Sequence, residues 1–242
     1  MIDSRAFMFA VLVPVAVAGG FLRGFAGFGS VLFMLPVLNV FLPPSTSIGV
    51  MMWVDLFSNV QLLPDARRDS SIATVLPLML GTFVGMPVGV HVLLTVDPAA
   101  MKIVICGAIL AAAFVLLSGW RYRRPAGPGT FGAAGALSGL IMGTTAIAAA
   151  TPLFLAASSH RAAENRANYI IWVFLATILL IVLLAWNSAL AVGNIRTIVV
   201  LTPAYLIGIT IGIRLHKRAK ERTTRGVVLA LVIAVALAGL MF

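Results

Sequence analysis

Eight apolar segments follow one another along the chain, most of them near the length that crosses a bilayer as helix, with short polar turns between. They cover residues 6–42, 46–64, 72–94, 99–118, 130–158, 166–186, 195–213 and 225–242. Backbone in lipid has no water to satisfy its N–H and C=O groups, so spanning structure is either helix or closed barrel. The runs are continuous rather than alternating, which excludes the barrel. Composition agrees: 61% of the 242 residues are hydrophobic and 10% charged, with a mean hydropathy of +1.10. The expected fold is an all-α polytopic membrane protein, with residues 1–242 forming one transmembrane domain.

A net charge of +10 would suit a nucleic-acid partner. Here the basic residues gather in short loops between apolar runs, as the positive-inside rule requires, and none of these loops could form a basic domain. Nucleic acid is therefore not an expected partner. Cys106 is the sole cysteine and lies in an apolar run, so no intrachain disulfide forms. Residues 6–18 imitate a signal peptide, with Ala16-Val17-Ala18 as a small-residue site. Asp3 beside a lone Arg5 does not suit its n-region, so the segment is expected to stay.

One stretch departs from this pattern. Gly19 to Pro36 lies inside segment 1, yet it holds five glycines, Arg23 and Ser30. A helix broken over Gly24–Ser30 is expected, then an apolar helix pattern ending at Pro36. Gly24, Gly27 and Gly29 would let the chain turn and expose N–H groups, and a helix restarting at Ser30 would aim its positive end at an anion. The alternative for the glycines is close helix packing. No strand precedes them, so the spacing is not a dinucleotide fingerprint.

The breakers repeat. Segment 1 carries Gly27 then Pro36, and segment 5 carries Gly143 then Thr151-Pro152. Span 72–94 carries Pro77, Gly81, Gly85 and Gly89, while span 195–213 carries Pro203, Gly208 and Gly212. Residues 1–120 and 130–242 thus read as two copies of one unit, with a second break expected near Gly143–Thr145. If all eight segments cross, the basic residues divide nine to seven between the two sides. If segments 1 and 5 are re-entrant hairpins, thirteen share a side and only Arg5, Lys102 and Arg196 oppose them. The second arrangement obeys the positive-inside rule. It leaves three full spans per copy, so the copies are expected to be inverted repeats, a common plan for secondary transporters.

The run Gly20-Phe21-Leu22-Arg23-Gly24-Phe25-Ala26-Gly27-Phe28-Gly29-Ser30, the later Pro36 and the Gly-Ile-Arg-Leu of Gly212 to Leu215 resemble the sulfite exporter TauE/SafE family. Segment 5 departs from the pattern, with Met142-Gly143-Thr144-Thr145 and Thr151-Pro152 where a glycine-rich break and Gly-Pro are expected. The resemblance implies a multi-pass carrier of the bacterial inner membrane that moves sulfite, organosulfonates or related sulfur-containing anions.

The residues divide the expected site by chemistry. Arg23 is the basic residue deep within an apolar segment, and its planar fork suits an oxyanion. Snorkelling to an interface is the competing role. Asp55 falls mid-span, with Asn59 four residues on and on the same helix face. It would compensate charge or carry a coupling proton. Gly143, Thr144 and Thr145 would give neutral donors, although each threonine hydroxyl can instead bond its own helix. The substrate-binding set is therefore Arg23, Gly24, Gly27, Gly29, Ser30, Gly143, Thr144 and Thr145.

His91 reads as an interfacial histidine or a proton relay, and His160 and His216 sit in basic loops. No cluster has metal-ligand spacing, so no metal and no cofactor is expected. The expected partners are a small anion and the lipid bilayer, with a homodimer left open. Two other functions stay open as well. One is an anion channel or scaffold subunit. The other is a membrane-embedded hydrolase using Ser30 and His91, for which no third orienting group is evident.

Overall fold

The computed structural model describes residues 4–26, 30–118, 127–148, 150–155, 161–189 and 195–216. Among the described residues the secondary structure is helical: α1 (Ser4–Ala26), α2 (Ser30–Phe41), α3 (Pro44–Asp69), α4 (Ile72–Thr95), α5 (Pro98–Ser118), α6 (Pro128–Thr145), α7 (Ala150–Leu155), α8 (Ala162–Trp186) and α9 (Ile195–His216). The expected span 225–242 lies outside the described residues.

Local chemistry sets the helix starts. α3, α5 and α6 each begin on proline, whose fixed φ suits the first helical position and whose missing N–H would find no partner there. Two expected stops do not stop the chain. α2 runs through Pro36 to Phe41, and α3 runs through Pro64 to Asp69, so the Asp65–Asp69 stretch read as a loop is a helix end. Apolar residues on both sides of Pro36 keep α2 in lipid, where leaving the helix would expose backbone. Past Pro64 the charged residues Asp65 to Asp69 continue the helix, with Arg67 and Arg68 in its last turn, where cations suit the helix dipole.

Among the described residues four helices are long and apolar enough to cross a membrane: Ala6–Phe25, Ile72–Thr95, Ala163–Trp186 and Ile195–Leu215. Large apolar side chains such as Phe83, Val84, Val199 and Ile207 stand on exposed faces, as lipid contact requires. Trp186 ends α8 well exposed, where an aromatic anchor at the interface belongs.

The described chain groups into two compact units. One comprises the described residues within 1–54, 98–113 and 195–216, the other those within 55–97 and 114–189. In the first unit, α1 packs along α9. A Cβ on Gly20 would strike the Tyr205 carbonyl, and one on Gly24 the Ile209 carbonyl. Reciprocally, Gly208 lies on Val17 and Phe21, and Gly212 on Phe21 and Phe25. Contacts advance together along both helices, so the two run parallel.

In the second unit α4 packs along α6 by the same device. Gly85 lies on Ala136, Gly89 on Leu140 and Thr144, Gly139 on Thr82 and Met86, and Gly143 on Met86 and Val90. Lipid supplies no hydrophobic drive between helices, so close backbone approach through small residues is what holds such pairs. A hydrogen-bond chain adds α8: Trp172 Nε1 donates to Thr82 Oγ1 at 2.9 Å, and Thr82 Oγ1 donates to the Leu78 and Gly135 carbonyls.

α2 folds back along α1. The Phe7 and Phe41 rings, from the far ends of the two helices, meet edge-on with centroids 6.4 Å apart. Nearer the turn, Gly19 faces Met34 and the Ser30 carbonyl. Twelve residues of helix rise about 18 Å, too little for a hydrocarbon core of about 30 Å. Segment 1 therefore doubles back rather than continuing across.

Candidate functional site

The first break comes later than expected. Gly24 is inside α1, seated on α9, and α1 ends at Ala26. Gly27 and Gly29 lie outside the described residues. Arg23 occupies the last turn of α1, where a cation also meets the negative end of the helix dipole. It is only 5% exposed. Gly19 and Arg23 are four residues apart and share a face, so the arginine stem leaves α1 on the side that turns toward α2. Ser30, the first residue of α2, is 0% exposed. Its Oγ has no hydrogen-bond partner among the described residues. A buried arginine near the end of α1 and an unsatisfied hydroxyl at the start of α2 thus stand on either side of residues 27–29. Arg67, Arg68, Arg161, Arg166, Arg196 and Arg214 are all exposed, so Arg23 is the buried cation of the described residues.

The second break also moves. α6 continues through Gly143, Thr144 and Thr145 and turns at Ala146, whose φ of 61° is left-handed. Gly143 serves packing against Met86, and the turn falls on a residue with a Cβ. Thr144 Oγ1 donates to the Leu140 and Gly89 carbonyls. Thr145 Oγ1 donates to the Ile141 carbonyl and accepts from Ile147 N–H. Both hydroxyl protons are thus held by backbone. The unsatisfied groups of this unit lie on both sides of the turn: Asn59 Nδ2 on α3 and Ser138 Oγ on α6 before it, Thr151 Oγ1 on α7 and Asn168 Nδ2 on α8 beyond it, all on buried side chains. Asn168 Oδ1 accepts from Ser71 N–H at 2.6 Å.

A left-handed alanine costs about 1–2 kcal/mol relative to glycine, which adopts that conformation freely. Ala146→Gly is expected to raise the thermal unfolding midpoint of the purified protein, and Ala146→Val to lower it. Unchanged midpoints in both variants would show that this turn stores no strain.

Asp55 and Asn59 are both buried on one face of α3. Ser58 Oγ donates to the Asp55 carbonyl at 2.7 Å. Arg23, Gly24 and Ser30 belong to one compact unit; Asp55, Asn59, Gly143, Thr144 and Thr145 belong to the other. His91 is exposed. Among the described residues no three His, Cys, Asp or Glu side chains converge as metal ligands would. Sequence reasoning passed over Asn39, which is buried with both side-chain atoms unsatisfied. The signal available was an amide inside the otherwise apolar run Val37-Leu38-Asn39-Val40-Phe41-Leu42.

Membrane-length helices joined by glycine ladders, with the short α2 doubling back along α1 beside a buried arginine, define a polytopic α-helical membrane protein. Residues 12–239 match the family described as Sulfite exporter TauE/SafE, nearly the whole chain. The protein belongs to this family of membrane transporters. No curated protein and no solved structure matches it.

Proposed function

We propose that the protein is a secondary transporter of a small sulfur-containing anion, sulfite or an organosulfonate, exporting it across the bacterial inner membrane by alternating access. The observation that carries this reading is the buried Arg23 in the last turn of α1, with the buried Ser30 opening α2. An arginine kept out of water at membrane depth is costly, and such residues mark ion and substrate paths. Its planar donors match the oxygens of a sulfite or sulfonate group, and Ser30 Oγ has a vacant hydrogen bond to offer. Asp55, buried mid-helix on α3, is the residue through which a proton gradient would couple.

The fold itself reads as two copies of one unit, α1 corresponding to α6 and α9 to α4. Matched contacts support this. Gly20 on Tyr205 and Ile209 parallels Gly139 on Thr82 and Met86. Gly212 on Phe21 and Phe25 parallels Gly89 on Leu140 and Thr144. The copies then align Gly24 with Gly143, and the helix end Ala26 with the helix end Thr145. The charge count adds the inversion, and inverted repeats are a transporter plan.

Uptake into proteoliposomes tests the reading directly. Sulfite, thiosulfate, a simple sulfonate and sulfate are supplied at two pH values, with and without a proton gradient. Saturable counterflow of sulfite or the sulfonate is expected, with the gradient response lost in Asp55→Asn. Voltage-driven flux that never saturates would make the protein a channel, and absence of flux for all four anions would refute the assignment.

A further inference from the structure

A cavity with polar groups in its lining lies in the first unit, at the end of α2 opposite Ser30. It measures about 580 Å³ and is lined by the end of α2, the link to α3 and the first turns of α5. Three of its walls are Pro43, Pro44 and Pro98, rigid residues without N–H groups. Its polar side chains are Asn39 and Lys102, with Cys106 one turn beyond Lys102 on the same face of α5.

Asn39 is 4% exposed, and neither its Nδ2 nor its Oδ1 has a hydrogen-bond partner among the described residues. Native structures seldom bury an amide in this state without an ion, a ligand or ordered water to complete it. The donor balance says which kind of ligand fits. Asn39 brings two N–H donors and one acceptor, and Lys102 three donors and a positive charge. The nearby carbonyls of Leu38, Leu42 and Pro43 already accept from Leu42 N–H, Ser47 Oγ and Ser47 N–H. No lining residue carries a carboxylate. Among the side chains donors are in surplus and the one charge is positive, so the component that completes them is negative and rich in acceptors.

We propose that this pocket is a second anion site, holding an oxyanion whose oxygens accept from the Lys102 ammonium and the Asn39 amide. A free phosphate or sulfonate and the phosphodiester of an anionic lipid share that chemistry. The site is independent of the transport reading, because it uses neither Arg23 nor Ser30.

Full-length protein in nanodiscs tests it. Binding of inorganic phosphate and of methanesulfonate is titrated calorimetrically in phosphatidylcholine discs, and retained lipid is counted by native mass spectrometry after mixed phosphatidylglycerol discs. Wild type is expected to bind one more anion, or retain one more phosphatidylglycerol, than Lys102→Gln or Asn39→Leu. Loss of the Lys102 charge-assisted bonds should weaken that site at least tenfold. Anion binding in phosphatidylcholine marks a solute site, and retention of phosphatidylglycerol alone marks a lipid site. Asn39→Leu should also melt higher than wild type without anion, since it removes two unsatisfied buried groups. Cys106, the sole cysteine, locates the event: its alkylation by iodoacetamide should slow when the site fills. Equal anion stoichiometry and equal lipid retention in wild type and both variants would overturn the proposal, whatever the thiol does.

Discussion

Arg23→Ala is expected to lower uptake of the transported anion by about two orders of magnitude while the protein still inserts. A hydrogen bond to a charged partner contributes about 1.5–3 kcal/mol, and a paired fork makes two of them. The competing role for Arg23 is local: it sits in the last turn of α1 and favours that helix end electrostatically. That contribution is worth about 0.3–1 kcal/mol and would be felt as stability alone. Arg23→Lys separates the two, because lysine keeps the charge at the helix end but loses the planar fork. If Arg23 binds substrate, Arg23→Lys restores the melting point and leaves KM for the anion raised. If it only caps α1, both variants transport with wild-type KM, and Arg23→Lys also melts as wild type does. Wild-type anion flux through Arg23→Ala would remove the charge assignment.

The same residue shows how far the sequence could be read. An arginine inside an apolar run is conspicuous because charge in lipid is expensive, so Arg23 stood out before any coordinates. The helices were legible for the same reason. Apolar runs with short turns leave α4, α5 and α9 little freedom in where they begin, and proline marks three of the starts. Glycine was ambiguous. In a membrane it both interrupts helices and lets them touch, and sequence alone does not choose between these uses. Gly24 and Gly143 were read as breaks, yet each is a packing residue two residues before its helix ends at Ala26 or Thr145. The turn at Ala146 left no glycine to read, because an alanine takes the left-handed conformation there. Asn39 was overlooked for a different reason: a lone amide becomes informative only when its surroundings fail to satisfy it.

One substitution type made at two glycines distinguishes the two uses of that residue. Gly85→Ala is expected to destabilise the protein by about 2–3 kcal/mol, and Gly107→Ala to stabilise it by up to about 1 kcal/mol. At Gly85 the new methyl lands on the backbone of Ala136 in α6, and no rotamer can relieve a collision with a carbonyl. The two helices must separate, and every contact along the ladder from Gly81 to Gly143 loosens with them. At Gly107, on an exposed face of α5, a methyl meets nothing within 4 Å. There the substitution only removes conformational freedom that helix formation would otherwise have to overcome. Gly208→Ala in the first unit should follow Gly85→Ala, since its Cβ meets the Val17 carbonyl of α1. Thermal unfolding of the four proteins in one detergent gives the comparison. Equal midpoints for Gly85→Ala and Gly107→Ala would mean that α4 and α6 do not approach by backbone contact, and the matched ladders would lose their physical basis.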